Sequence, residues 1–104
     1  MIYLVYVTAG SEEEARGLAR QVVEKRLAAC ANIYPQIISY YWWEGKLQED
    51  KEVSLIFKTS SQKVEKLIEM IKEIHSYSCP CVLAWPVEKG YPPFMAWVEE
   101  ETGK

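Results

Sequence analysis

The chain has 104 residues, 49% of them apolar, a formal net charge of -3 at pH 7 and three cysteines. That is one domain, residues 1–104, able to build its own core and far from a disordered composition. The acidic balance excludes a nucleic-acid partner held by phosphate contacts and removes any attraction to an anionic membrane surface.

Met1 to Val7 is apolar but has no basic lead and is too short to cross a bilayer. It reads as the first strand, running Ile2 to Thr8, of a cytoplasmic protein. An odd number of cysteines fits reduced thiols better than a secreted disulfide framework. Ala9-Gly10 breaks the strand. Ser11-Glu12-Glu13-Glu14 has the form of a capping box, with the Ser11 hydroxyl accepting from the Glu14 N–H and the Glu14 carboxylate reaching back. Ala15, Leu18, Ala19, Val22, Val23 and Leu27 then recur at helical spacing as one buried stripe. Gly17, a mild cost inside this helix, predicts a close approach by a neighbour.

Residues 30–59 read as a long hairpin, with arms near 30–43 and 51–59 and a turn near Glu44-Gly45-Lys46. A straight first arm would span roughly 45 Å, against a radius of gyration near 13 Å for a compact chain of this size. It must therefore break at Pro35 or protrude. Pro35 cannot donate to a ladder and marks a bulge, a bend or an edge. A protruding tip exposes Tyr40, Tyr41, Trp42 and Trp43, and such a patch marks an interface. The hairpin is thus expected to pair with copies of itself.

Ser60-Ser61 offers an N-cap to a second helix with the stripe Val64, Leu67, Ile68, Ile71 and Ile74. A connector over 75–80 follows, since Pro80 pushes Cys79 out of the helical region. Cys81 to Val87 reads as a fourth strand, with Pro86 placing it at a sheet edge. Phe94 to Glu101 reads as a short last helix burying Phe94, Trp97 and Val98. The order is that of an α+β, ferredoxin-like βαββαβ sandwich with a long hairpin between its second and third strands and a short C-terminal helix. Both main helices then lie on one sheet face. The other face, rich in Tyr, Trp, Ile and Val, calls for a neighbouring subunit.

Ala28-Ala29-Cys30-Ala31-Asn32, Tyr41-Trp42-Trp43-Glu44-Gly45-Lys46, Phe57-Lys58-Thr59, His75-Ser76-Tyr77 with Pro80, and Trp97 together resemble the CutA divalent-cation-tolerance family, in register over essentially the whole chain. The resemblance implies the ferredoxin-like fold, a homotrimer built through the 30–59 hairpin, and a role in tolerance of copper and other divalent metals, with copper binding in some members. It also implies a ligand set of one Cys, one His and one Glu. The matching positions here are Val7, Ile74 and Cys81, so none keeps its residue type.

His75, Cys79 and Cys81 remain as a candidate metal site. Two thiols and an imidazole suit Cu(I) or Zn(II), and if residues 79–81 are extended the two cysteines share a face. The spacing matches no standard structural zinc pattern. Cys81 reads equally as a small buried hydrophobe beside Leu83, Trp85 and Val87, Cys30 as a packed thiol, and His75 as the C-cap of the second helix. Glu52 and Lys58 share a strand face, either on the surface or reaching across a subunit crevice. One His, no Ser/His/Asp set and no Gly-rich phosphate loop give no enzyme, and no organic cofactor is expected. The expected function is a cytoplasmic trimer that binds copper or another divalent ion. The alternative is a trimeric sensor or adaptor of the PII kind, holding a small molecule or protein in its intersubunit crevices.

Overall fold

The β-branched and aromatic runs become four strands and the two apolar stripes become helices. The computed structural model describes all of residues 1–104. Its order is β1 (Ile2–Ala9), α1 (Glu12–Glu24), β2 (Cys30–Trp43), β3 (Lys46–Ser60), α2 (Val64–Ile74), β4 (Val82–Pro86) and α3 (Pro92–Thr102). The strands form one antiparallel sheet in the order β2-β3-β1-β4. This is the expected ferredoxin-like arrangement, with β1 and β3 central.

Register explains where the core sits. Val5, Val7 and Ala9 oppose Phe57, Leu55 and Val53 across β1 and β3. All six are buried, packed with Leu18 and Val22 of α1 and Leu67 and Ile71 of α2. Alternation sends Leu4, Tyr6 and Thr8, with their partners Lys58, Ile56 and Ser54, to the opposite face. Leu83 and Trp85 of β4 pair with Tyr6 and Leu4 on that face and stay 61% and 42% exposed. The sheet therefore has an open, partly apolar side, as the composition of its strands requires.

The hairpin turns on Glu44 (φ 52°) and Gly45 (φ 77°). Two left-handed residues make the two-residue turn whose twist matches its strands. The return arm consequently starts at Lys46, directly opposite Trp43, and not near residue 51. Cross-strand pairing recruits Lys46–Lys51 despite their polar side chains. Pairing with β1 stops at Val53, so residues 46–52 pair only with β2. The hairpin overhangs the domain, and the molecule measures 44 × 25 × 22 Å. Pro35 lies in a register shift between Tyr34 and Ile37, on edge strand β2; the bulge absorbs its missing donor.

Other boundaries depart from the sequence expectation. Ser60 stays in the ladder opposite Ile2 and does not cap α2. The cap residue is Lys63, with no side-chain hydrogen bond. β4 is shorter than 81–87, and Cys81 lies just before it. α3 buries Val98, but Phe94 and Trp97 remain 43% and 40% exposed, stacked at 5.6 Å. Gly17 has no close neighbour, since a Cβ there would meet nothing within 4 Å. At the other chain end, the Met1 ammonium pairs with Glu99 Oε1 at 2.7 Å and ties β1 to α3.

Candidate functional site

Where β1 ends, the post-α2 connector and one face of the overhanging hairpin meet around a cleft of about 500 Å³. Thr8, Ser39, Tyr40, Tyr41, Trp43, Glu52, Tyr77, Ser78, Cys79 and Cys81 line it. Register brings the hairpin residues in. Beyond the bulge, Ile37, Ser39, Tyr41 and Trp43 oppose Glu52, Asp50, Gln48 and Lys46. These β3 residues alternate in phase with Ser54 and Ile56, so the set shares the open sheet side. Glu52 marks the boundary between the paired sheet and the overhang.

The connector is held by a polar network. Glu14 is the third residue of α1, and its N–H donates to Ser11 Oγ at 3.1 Å, the first half of the predicted capping box. The second half differs. The Glu14 carboxylate accepts from the Gly10 N–H at 3.4 Å, and from the Ser76 N–H and hydroxyl, both at 2.9 Å. It thus clamps the end of α2 to the start of α1.

Burial pushes the Glu14 carboxyl up, but the Ser76 hydrogen bonds, His75 and the Gly10 N–H outweigh that and hold it below its ordinary value of 4.5. A lowered carboxyl stabilises the fold above the ordinary value, and this stabilisation is lost as pH falls through the folded-state value. Glu14→Gln is therefore expected to melt below the parent at neutral pH, with the gap closing on acidification below pH 4.5. Thermal midpoints from about pH 7 down to about pH 3 would check this. A gap independent of pH would mean that Glu14 acts through packing alone.

His75 follows α2 as its C-cap residue, as one sequence reading had it. Its ring does something else. Nε2 lies 2.7 Å from the Thr8 carbonyl oxygen, and Nδ1 lies 3.0 Å from the Tyr77 backbone nitrogen. A carbonyl only accepts and a backbone N–H only donates, so Nε2 carries the hydrogen and Nδ1 accepts. Both nitrogens are spent and the side chain is buried. The predicted three-ligand set of His75, Cys79 and Cys81 is therefore not assembled, because the imidazole has no lone pair left for a metal. No three His, Cys, Asp or Glu side chains converge on a common point in the chain.

Both cysteines line the cleft. Cys79 is exposed and Cys81 half-buried. Burial, reinforced by the Glu52 carboxylate, pushes the Cys81 thiol up despite a hydrogen bond involving Thr8. Its neighbours Leu83 and Trp85 face the open sheet side, so Cys81 is not part of a sealed apolar row. Cys30 is half-buried, and burial raises its thiol against the pull of Lys58. Lys58 itself hydrogen-bonds Asn32.

Tyr77 and Glu52 are the residues whose roles were not legible. The Tyr77 hydroxyl donates to Glu52 Oε2 at 2.8 Å, bridging the connector to the hairpin. Burial first, then Glu52 and Glu14, push its phenol well above the ordinary value of 10. Gly10 leaves room for that ring, since a Cβ there would lie 3.1 Å from the Tyr77 hydroxyl oxygen. Tyr41 donates in turn to Asp50, which raises its own phenol.

Comparison with known proteins finds relatives over essentially the whole chain. The profile of the CutA1 divalent ion tolerance protein family matches residues 3–101. A divalent-cation tolerance protein CutA from Archaeoglobus fulgidus is 45% identical over 92% of this chain and 93% of its own length. Protein CutA of Mus musculus is 48% identical over 93% of this chain, which spans only 55% of that protein. The solved divalent cation tolerance protein of Thermus thermophilus superposes with a TM-score of 0.95 at 42% identity, over 99% of this chain and all of that one.

Proposed function

The chain belongs to the CutA1 divalent ion tolerance family, and we propose that it works as a homotrimeric metal-binding protein. In this reading the overhanging hairpin builds the trimer, and the thiols of Cys79 and Cys81 take up copper or another divalent metal ion in the cytoplasm. No catalytic step is assigned to it. The observation that carries the reading is that both thiols open onto one cleft beside the Glu52 carboxylate. Thiolates select soft ions such as Cu(I) and borderline ions such as Zn(II). Because Cys81 holds its proton, uptake releases protons and strengthens as pH rises.

A cytoplasmic setting suits three free cysteines. The solved Archaeoglobus relative is described as periplasmic and the Oryza sativa one as chloroplastic. No helix of this chain is long and apolar enough to cross a membrane.

Native mass spectrometry of the reduced protein, titrated with Cu(I), Cu(II) and Zn(II), tests the reading. A trimer saturating at a fixed number of ions per chain is expected, with saturation abolished in Cys79→Ser/Cys81→Ser while the trimer persists. Weak, non-saturating uptake, or uptake unchanged in that variant, would refute the metal site.

The sensor reading, in which a crevice holds a small molecule, draws support from a different observation. Much of the cleft is aromatic and makes no use of the thiols.

A further inference from the structure

Of the ten residues around the cleft, four are aromatic: Tyr40, Tyr41, Trp43 and Tyr77. One is a carboxylate, Glu52, and none is Lys, Arg or His. Carboxylates also stand behind the aromatic walls. Asp50 accepts from the Tyr41 hydroxyl, and Glu14 is anchored on Ser76, next to Tyr77. The site is thus walled by ring faces and biased negative around Glu52; Lys46, opposite Trp43 on the same face, lies outside its lining. Glu52 spends Oε2 on Tyr77, which leaves Oε1 for a ligand. The volume, about 500 Å³, is that of a small-molecule site.

We propose that this cleft binds a small organic ammonium ion, with Glu52 as its counter-charge and Tyr41, Trp43 and Tyr77 as its aromatic walls. A weakly hydrated alkylammonium gains from ring faces, which carry negative charge density, and from one carboxylate at close range. A small hard cation would instead need several converging oxygens, and these are not assembled here. An anion is repelled by Glu52 and the carboxylates behind it. This site uses the aromatic and carboxylate side of the cleft, not the thiols, so it stands independently of the metal reading.

Isothermal titration of the assembled protein with tetramethylammonium chloride tests it, with tert-butanol as the neutral shape control and sodium chloride as the ionic-strength control. Saturable binding at one site per chain is expected, with no heat from either control. Glu52→Gln and Trp43→Ala should each weaken binding about tenfold. Gln keeps an oxygen for the Tyr77 hydroxyl, and Trp43 is half-exposed, so both variants should melt with the parent. No saturation up to about 10 mM, equal binding of tert-butanol, or unchanged affinity in both cleft variants would overturn the proposal.

Discussion

Replacing Ile38 and Trp42 together by glutamate is expected to turn the proposed assembly of three chains into folded monomers of 12.1 kDa. The two share one hairpin face with Tyr40 and with Leu47, which lies directly opposite Trp42. In the single chain these four side chains are 60–72% exposed. No third strand or helix of the same chain covers a tip that pairs only within itself. Burying large apolar side chains contributes about 1.5–3 kcal/mol each, so a contact using four of them per chain is substantial. Two glutamates there would lose that gain and place unpaired charges in the contact. Light scattering behind size exclusion reads the mass, and circular dichroism checks that the domain still folds. A parent protein that is already monomeric would remove the hairpin as an assembly device. A variant that remains three chains would move the contact to the open sheet side carrying Leu83 and Trp85.

His75→Ala should be the most damaging single change outside the apolar core. The ring is buried, and it ties the last turn of α2 to the end of β1 through the Thr8 carbonyl and to the connector through the Tyr77 N–H. Alanine strands both groups and leaves a void. Each unsatisfied buried group costs on the order of 1–3 kcal/mol, so a total of about 3 kcal/mol is expected. For a domain of this size that lowers the thermal midpoint by roughly 10–20 °C. Midpoints should be compared at one chain concentration, because assembly couples to stability. A shift of only a degree or two would mean that the ring is not structural. Copper uptake in His75→Gln should match the parent, since neither ring nitrogen is free for a metal.

Periodicity made much of this fold readable. The stripes of α1 and α2 fall where the spacing put them, except that α1 stops at Glu24 and Leu27 follows it in a turn through the left-handed Arg26; β2 runs from Cys30 to Trp43 as expected. Local chemistry read in isolation was less reliable. Ser60 has the right side chain for a cap, but a ladder partner, Ile2, claims it first. Lys46 to Lys51 is too polar to read as strand, yet it is carried into the sheet by the two-residue turn and its partners in β2. The site was half visible. The two thiols announced themselves by spacing, and both line one cleft. His75 looked like a ligand because a sequence shows that an imidazole exists, not that both its nitrogens are engaged. Glu52 and Tyr77 sit 25 positions apart, and only tertiary structure brings the phenol to the carboxylate.

The irregularity at Pro35 has a reach far beyond its own position. Tyr34 opposes Ser54 and Ile37 opposes Glu52, so β2 takes three steps where β3 takes two. That one surplus residue inverts the odd–even phase of everything downstream on β2. Upstream, the even-numbered Asn32 and Tyr34 point to the open side. Downstream, it is the odd-numbered Tyr41 and Trp43 that do so, while Tyr40 and Trp42 fall in step with the opposite side. A one-residue deletion at 35–36 would leave the composition of the aromatic run untouched and exchange its two halves. Chain length between Tyr34 and Ile37 therefore decides which half of the aromatic run faces the cleft: a relative with a gap there would have a cleft and a contact surface that had traded side chains.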